Sequence, residues 1–562
     1  MVALYAMGRF LLRTLSQNLF GHHVALALGF GVNHLVFLLV SLFLNGPNAV
    51  LFMNLLHASA VAHLFLAGGG LPLQRLKGDP FLLVVLSVMF MPYLYRLATP
   101  PMNVDTLNFY LPNIEWVYHR GLSFNPHRTA YTTMPMAVEY LFAQSYGLGG
   151  RQAILMTDAA FFILTVMLCH GFARMLMTRL WAFIFILAMM LLPQSYTYLF
   201  GSAKVDMVNV YLMLTAMSLL LQPLDSRRLL VALAIGSIAF SVKYTSWPQL
   251  ALPVVVVVGI LFWRGRKRLA FMGLLIPLLF AGPVMLKNQI QVGNPLAPVV
   301  WSPSQRAYLA PHLENEWNQV IKPLGKPVVR EKPLLVPAWI LQASVGYVLY
   351  AAFVLLLPFA IRFRTDLRRF IPLLVLLLLS LGPWHAYVGA DPEPPRFTLS
   401  FLTAILLIVI YMISDFTARL PKAASSTVAW SMAVLLALGN LLNSHGVHSD
   451  IVTRYRDARD SGVVGMYIAD GKGHYAISRV MADSGWLERK VMYLAPLVLG
   501  TLSHEEVLES HTDFEIFRNR KRFESRLKDY DYIYCTKPDL VRFGLKDREI
   551  LLDYGHYCLL KK

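Results

Sequence analysis

The chain contains the apolar stretch Pro80-Phe-Leu-Leu-Val-Val-Leu-Ser-Val-Met-Phe-Met-Pro-Tyr-Leu-Tyr-Arg-Leu97, and Asp105-Thr-Leu-Asn-Phe-Tyr-Leu-Pro112 follows it within a few residues. An apolar run of this length is close to what a helix needs to cross the ~30 Å hydrocarbon core of a bilayer. The polar and aromatic residues after it open a long connection, 98–150. A plain turn needs far fewer residues, so an acid placed here indicates a site of chemistry at the membrane surface.

Composition places the whole chain in the membrane class. Of its 562 residues, 56% are hydrophobic and only 15% are charged, and its mean hydropathy is +0.53. A soluble globular protein carries about a quarter charged residues, so a soluble fold is excluded. The net charge of +18 could indicate a nucleic-acid partner, but the basic residues are distributed as in a membrane protein, and we expect no nucleic acid to bind.

Apolar runs recur along the chain and predict a polytopic α-helical membrane protein. We expect about thirteen transmembrane helices, at 23–45, 50–69, 80–97, 151–171, 179–194, 205–222, 228–246, 248–263, 269–287, 338–361, 370–388, 397–414 and 426–444. The predicted regions are 1–97, with an N-terminal interfacial helix and three spans; 98–150, a large outer loop; 151–287, a transmembrane module; 288–337, a second outer loop; 338–444, the last spans; and 445–562, an extracytoplasmic α/β domain.

The basic residues of the short connections lie almost all on one side of these spans. That side holds Arg9, Arg13, Arg75, Lys77, Arg174, Arg179, Arg227, Arg228, Arg264, Arg266, Lys267, Arg268, Arg362, Arg364, Arg368, Arg369, Arg419 and Lys422. Cytoplasmic loops carry such an excess, so we expect the N-terminus in the cytoplasm. An odd number of spans then leaves the C-terminus outside.

The long outer segments contain further predicted elements. Apolar residues at helical spacing predict helices at 105–120 and 134–146. The tail combines a charged helix, 513–529, with short β-rich runs, and this alternation predicts a small α/β domain. The predicted strands lie at 463–468, 490–494, 530–535 and 557–560.

Cysteine, histidine and one interior acid have mainly structural interpretations. Cys535 and Cys558 both lie in the tail, where an oxidising compartment permits a disulfide and two reduced buried thiols remain the alternative. Asp158 lies inside a predicted span, where a charge is costly, and we expect a partner on another helix. The histidines of the first two spans, His34, His57 and His63, are expected to form hydrogen bonds between helices.

Ionisable residues mark most connections on the outer side. The acids are Asp105, Asp206, Asp391 and Glu393, and the bases are Lys204, Lys243, Lys287 and Arg396. Carboxylates suit a general base or a ligand for a hard cation, whereas Lys and Arg suit a phosphate that gains charge as it leaves. The structural alternatives are helix caps for the two aspartates Asp105 and Asp206 and snorkelling for the basic side chains.

This mixture suits a substrate with a lipid tail and a polar head, at the boundary between lipid and water. ATP and nucleotide sugars are not supplied outside the cytoplasm. A transferase on that side therefore needs a membrane-borne activated donor, and a sugar linked to polyprenyl phosphate meets that need.

The order of these motifs resembles the GT-C superfamily of membrane glycosyltransferases, over roughly residues 80–445. The resemblance is to the bacterial branch with the aminoarabinose transferases of lipid A and the protein O-mannosyltransferase-like proteins. It is carried by Asp105 in Val-Asp-Thr-Leu-Asn-Phe-Tyr-Leu-Pro, Arg151, Asp206 in Ala-Lys-Val-Asp-Met, Lys243-Tyr-Thr, Gly293-Asn-Pro295 and Arg396-Phe. Two features depart from the family pattern: two extra helices precede the common module, and Lys243 is followed by Tyr-Thr instead of Gly-Pro.

The resemblance implies an inverting glycosyltransferase in a bacterial inner membrane, with a periplasmic C-terminus. Its catalytic acids would be Asp105, the base, and Asp206, and either acid could also hold a divalent cation, Mg²⁺ or Mn²⁺. The donor phosphate would bind Lys204, Lys243 and Arg396. The expected partners are a polyprenyl-phosphate sugar, the lipid bilayer, and a glycan, lipid or protein acceptor. Candidate pocket residues are Tyr110, His119, Tyr244, His385 and Glu393.

Three other functions remain open from the sequence. A transporter or flippase for a lipid-linked saccharide would place charges deep within the spans and show similar halves, whereas this chain keeps most charges at span ends. An O-antigen ligase or polymerase would also use basic residues on the outer face. A protein of GT-C shape that has lost its activity could serve as a scaffold.

Overall fold

The computed structural model describes the membrane helices and part of the tail. The described residues are 1–14, 21–66, 94–99, 106, 110–122, 134–192, 199–222, 225–243, 246–296, 344–362, 365–388, 399–469, 473–486, 489, 491–493, 524, 527–554 and 557–562. The predicted span 80–97 lies mostly outside these residues, and so does the charged helix 513–529. The site candidates Asp105, Tyr244, Glu393 and Arg396 also lie outside them.

Helices make up most of the described chain. In order they are α1 (Val2–Thr14), α2 (His22–Val40), α3 (Gly46–Leu66), α4 (Leu111–Arg120), α5 (Ala137–Leu176), α6 (Arg179–Met190), α7 (Asp206–Leu220), α8 (Ser226–Phe240), α9 (Ser246–Trp263), α10 (Lys267–Val292), α11 (Ser344–Arg362), α12 (Ile371–Val388), α13 (Leu399–Thr417), α14 (Lys422–Ala469), α15 (Gly473–Asp483) and α16 (Lys537–Phe543). One continuous apolar core joins the membrane helices, from α1 to α14.

The chain is a multi-pass membrane protein. Within the described residues, six stretches are long and apolar enough to cross a bilayer: His22–Val40, Gly46–Leu66, Ala137–Leu176, Lys267–Gln291, Leu399–Thr417 and Lys422–Leu442. Some other apolar helices are shorter; α7 has 15 residues, about 22 Å at the usual rise per residue, which is less than the ~30 Å hydrocarbon core. The count of thirteen spans therefore stays a prediction.

Two glycines allow α1 to lie directly against α2. A Cβ on Gly29 would come within 1.7 Å of the Leu4 carbonyl oxygen, and a Cβ on Gly8 within 1.6 Å of the Ala25 carbonyl oxygen. Small residues permit such close backbone approach between membrane helices. The order of these contacts makes α1 and α2 antiparallel, so α1 is a packed element; its predicted interfacial position stays a prediction.

The long helix α5 consists of two segments separated by Gly149 and Gly150, whose backbone angles are not helical. Gly150 has φ 61°, a left-handed conformation that favours glycine. The break agrees with the predicted helix 134–146 followed by a separate span that begins at Arg151. The first segment is buried: Tyr140 stacks on His34 and Phe37 of α2. The predicted hydrogen bond of His57 is present, to Asn33 at 2.8 Å.

The tail forms a small sheet with the strand order β1-β2-β4-β3. Its strands are β1 (Val491–Tyr493), β2 (Tyr532–Thr536), β3 (Ile550–Tyr554) and β4 (Tyr557–Lys561). β1 pairs parallel to β2, whereas β4 pairs antiparallel to β2 and β3. A separate apolar cluster includes Ile533, Phe543 and Leu560. The small C-terminal sheet agrees with the predicted mixture of strands and helices.

One predicted strand is wrong and one strand was missed. Residues 463–468 belong to the end of α14, which continues to Ala469 past a backbone break at Gly462. A short apolar run has no period that separates a strand from a helix, and here the preceding helix continues through it. β3, which pairs with β4, was not predicted.

Exchange of Gly29 for alanine tests the close contact between α1 and α2. We expect Gly29→Ala to lower thermal stability in detergent, because the added methyl group overlaps a carbonyl oxygen and overpacking costs about 1–3 kcal/mol. Gly171→Ala is the matched control, since it also lies in a helix and a Cβ there meets nothing within 4 Å. The control should be neutral or slightly more stable; equal losses in both variants would contradict the contact.

The two tail cysteines should form a disulfide under mild oxidation. Cys535 and Cys558 are directly opposite across β2 and β4, and their sulfur atoms are 3.4 Å apart. Directly opposed Cα atoms of antiparallel strands are about 4.5–5.5 Å apart, which a disulfide can bridge. Titration of thiols in the unfolded protein should then detect Cys169 alone, while Cys535→Ser should retain two thiols. Detection of all three thiols after oxidation would contradict the expectation.

Candidate functional site

A buried ion pair connects the start of α7 with the connection between α8 and α9. The Lys243 ammonium lies 2.6 Å from the Asp206 Oδ1 atom, and the two side chains are 15% and 2% exposed. Asp206 is the first residue of α7 and Lys243 follows the end of α8. Consecutive antiparallel helices bring these two ends together, so the local order of the chain creates the pair.

Further hydrogen bonds join the same helix ends. The Ser246 hydroxyl of α9 lies 2.8 Å from the Asn209 Oδ1 atom of α7, and both side chains are buried. The Ala137 amide at the start of α5 donates to the Ser241 carbonyl oxygen at 3.0 Å. The starts of α5, α7 and α9 and the end of α8 therefore meet at one end of the bundle.

A second acid and a second lysine lie beside this pair. Glu139, in the first turn of α5, is 4% exposed. The charges of Lys287 and Lys243 both act on its carboxylate. The Lys287 ammonium, near the end of α10, also donates to the Met134 carbonyl oxygen at 3.1 Å. The cluster is thus an interior mixture of carboxylates and ammonium groups, and ammonium groups form charge-assisted hydrogen bonds with anions.

The end of α10 shows the role of the Gly-Asn-Pro element. Gly293 caps the helix in the left-handed conformation with φ 68°. The Asn294 side chain then accepts a hydrogen bond from the Leu296 amide at 3.0 Å. The element therefore ends the helix that carries Lys287.

Lys204 lies in the turn before α7 and is fully buried. Asp158 of α5 reaches the same turn: its Oδ2 atom accepts hydrogen bonds from the Ser202 and Ala203 amides, at 2.8 and 3.2 Å. The expected partner of Asp158 was a residue on another helix; the partners found are backbone amides of a turn. Arg151, at the start of the second segment of α5, forms an ion pair with Glu115 of α4 at 2.7 Å.

The structure describes only some of the other predicted pocket residues. Tyr110 is the N-cap of α4, and His119 lies in the last turn of that helix, with ring contacts to Tyr118 and Tyr146. His385 lies in α12, where the structure describes the backbone. The roles of these residues, and of Asp105, Tyr244, Glu393 and Arg396, stay predictions.

A metal site also stays a prediction. Among the residues that the structure describes, no group of three or more His, Cys, Asp or Glu side chains is placed to hold a metal ion. Asp206 already has the Lys243 ammonium at its Oδ1 atom. Asp105, the other predicted ligand, lies outside the described residues.

A family model described as "Domain of unknown function (DUF8201)" matches residues 1–312, more than half of the chain. The chain belongs to this family. The matched region includes α1 to α10 and therefore both members of the buried ion pair. No curated protein matches the chain.

Solved structures show the fold. The chain is similar to ArnT from Cupriavidus metallidurans, both bound to undecaprenyl phosphate and in the apo state, with TM-scores of 0.54 and 0.52. In each case the identity is 12%, and the match covers 86% of this chain and 98% of ArnT. ArnT is a GT-C aminoarabinose transferase. The GT-C resemblance of the sequence is thus confirmed at the level of the fold.

Sequence reasoning missed Glu139 as a member of the cluster. It lies in the short run Pro135-Met-Ala-Val-Glu-Tyr-Leu-Phe142, where it is the only charged residue. A lone acid within a run that is otherwise apolar predicts a buried charge, and buried charges in proteins are paired. That signal was available, but its partners Lys243 and Lys287 come from distant parts of the chain.

The coupling between Lys243 and Asp206 can be measured with a double-mutant cycle. We expect Lys243→Met or Asp206→Asn alone to destabilise the protein by about 3–5 kcal/mol, because each change leaves the other charge buried without its partner. The double variant should be less destabilised than the sum of the two, as thermal unfolding in detergent would show.

The matched control is the ion pair between Arg419 and Asp415. These side chains are 42% and 28% exposed, and such a pair contributes about 0–1 kcal/mol. Its cycle should give a small coupling. Additive effects of the Lys243 and Asp206 changes would contradict the ion pair.

Proposed function

We propose that this chain is a membrane glycosyltransferase that takes a sugar from a polyprenyl-phosphate donor and passes it to an acceptor hydroxyl. The observation that carries the proposal is the buried ion pair of Lys243 and Asp206 at one end of a GT-C fold. The structural relative ArnT has been solved with undecaprenyl phosphate bound, which supports a lipid phosphate as the ligand.

The donor phosphate would bind where the interior lysines meet. The Lys243 ammonium is held by Asp206 at 2.6 Å. A phosphate of the donor would share or replace that carboxylate as its partner. Lys204, two residues before Asp206, and Arg396 would supply further positive charge. Buried ammonium groups stabilise a phosphate strongly because the surroundings screen the interaction weakly.

The transfer itself is an inverting substitution. Asp105 removes the proton from the acceptor hydroxyl, and the oxygen attacks the anomeric carbon from the side opposite the phosphate. The bond between the anomeric carbon and the phosphate oxygen breaks, and its electron pair leaves with polyprenyl phosphate. The leaving phosphate gains a negative charge, which the lysines stabilise more strongly than the ground state.

Further predicted residues complete the proposed site. Asp206 would hold Lys243 in position and act as the second acid. Asp105 or Asp206 would hold a divalent cation, Mg²⁺ or Mn²⁺, which would supply additional positive charge to the site. Tyr110, His119, Tyr244, His385 and Glu393 are proposed to contact the sugar or the acceptor. The acceptor is a glycan, a lipid or a protein hydroxyl on the periplasmic side of a bacterial inner membrane.

Removal of the proposed base should separate chemistry from binding. We expect Asp105→Asn to lower transfer by about 10²–10⁴-fold, because general base catalysis contributes that much, while binding of undecaprenyl phosphate is kept. Lys243→Met should instead weaken that binding. Transfer would be measured in proteoliposomes with a panel of polyprenyl-phosphate sugars, by mass spectrometry of the released lipid phosphate.

Asp366→Asn is the control, because Asp366 is exposed and lies in the connection between α11 and α12. It should keep both transfer and binding. Full transfer by the Asp105→Asn variant would show that Asp105 is not the base. Movement of intact lipid-linked sugar across the bilayer, without release of lipid phosphate, would favour the flippase.

A further inference from the structure

Asp158 is an ionisable side chain in the interior of a helix that can span the membrane. Its side chain is fully buried in α5. An ionisable residue at such a place is costly and usually serves a function. Neither the proposed transfer nor the ion pair of Lys243 and Asp206 uses Asp158 directly. The presence of this acid inside the helix therefore needs another explanation.

The carboxylate of Asp158 holds a turn of the backbone. Its Oδ2 atom accepts hydrogen bonds from two successive amides, Ser202 at 2.8 Å and Ala203 at 3.2 Å. Successive amides in a turn with left-handed residues form a concave site for an anion. Gly201 and Ala203 of this turn have φ values of 58° and 56°. Here the anion is a side chain of the protein itself.

The conformation of Ala203 requires this support. Among the residues that the structure describes, Ala203 is the only one other than glycine with a positive φ. The left-handed conformation is unfavourable for a residue with a Cβ atom. The hydrogen bond to the Ala203 amide opposes that cost, so the turn should relax when the carboxylate is removed.

The same turn connects the two proposed catalytic acids. The Thr106 hydroxyl donates to the Ser202 carbonyl oxygen at 2.5 Å, and Thr106 directly follows Asp105 in the chain. At the other end, the turn leads through Lys204 into Asp206, the first residue of α7. Arg96 also donates to this turn, at the Phe200 carbonyl oxygen, 3.3 Å away.

We propose that Asp158 is a positioning residue of the transferase site: by accepting the Ser202 and Ala203 amides, it sets the turn that leads through Lys204 to Asp206 and that the Thr106 hydroxyl contacts. This inference rests on the proposed function for its catalytic consequence. Its structural part, that Asp158 holds the turn, stands independently of the reaction.

The substitutions at Asp158 separate hydrogen bonding from charge. Asp158→Asn keeps an oxygen that can accept both amides, and we expect the turn to be retained. Asp158→Leu removes the acceptor, and we expect amide exchange of the peptide 199–206 to become at least about tenfold faster, since two buried hydrogen bonds are lost. Asp158→Leu/Ala203→Gly should recover part of the protection, because glycine adopts the positive φ at no steric cost.

Thr165→Val is the matched control, because Thr165 is a buried polar residue of the same helix that bonds only to its own helix among the described contacts, at the Phe161 carbonyl oxygen. In this variant, amide exchange of the peptide 199–206 should be as slow as in the unaltered protein.

Asp158→Cys replaces the leucine variant if that variant does not fold. Cysteine is close in size to aspartate and is only a weak acceptor. The rate of sugar transfer should fall by about 10²-fold in the variant without an acceptor. The loss should lie mainly in kcat, because a small misplacement of catalytic groups has such an effect.

The two readouts distinguish the outcomes. Faster exchange in the leucine or cysteine variant, with protection kept in the asparagine variant, supports the inference. Unchanged exchange without the acceptor would overturn it, and so would an asparagine variant as unprotected as the leucine one. Absence of transfer in the unaltered protein and in Thr165→Val would refute the proposed function, whereas the exchange data would still decide whether Asp158 holds the turn.

Discussion

The candidate site depends on the buried ion pair between Lys243 and Asp206. Removal of two charges from water is costly, and their attraction offsets that cost only when the two groups are in close contact. This requirement fixes the start of α7 against the connection between α8 and α9. The hydrogen bonds of Ser246 to Asn209 and of Ala137 to Ser241 join the same helix ends, so the pair lies at the centre of a small polar region in an apolar bundle.

Acids and lysines lie together in this region. The described acids Asp158, Glu139 and Asp206 are accompanied by the lysines Lys204, Lys243 and Lys287. A phosphate that enters such a region must compete with a carboxylate for its lysine. The proposed donor is suited to this competition, because its phosphate becomes more negative during transfer and so gains most from the lysines at the moment of bond breakage.

The long helix α5 connects the separate parts of the site. Its first segment carries Glu139 toward Lys243, and the break at Gly149 and Gly150 lets the second segment take its own direction. That second segment carries Asp158 to the turn before α7. The helix α5 therefore contributes to the cluster on both sides of its break, and its own position depends on the packing of Tyr140 against α2.

Local patterns in the sequence were sufficient for the class of protein and for many helices. Apolar runs and the asymmetric basic residues predicted a polytopic membrane protein, and the order of short motifs predicted the GT-C fold that the likeness to ArnT shows. Local patterns were insufficient for the tail. Residues 463–468 continue a helix, and β3 was missed. A short apolar run carries no information on its pairing partner.

The sequence by itself predicted which ionisable residues lie at the ends of spans, and these include Asp206, Lys204 and Lys243. Only the tertiary structure decided that Lys243 pairs with Asp206, that Glu139 joins them, and that Asp158 binds a turn. The physical reason is that a span places a residue at one end of the bundle, whereas neighbours from other helices are set by packing. The pairing of buried charges follows from that packing, and no spacing along the chain encodes it.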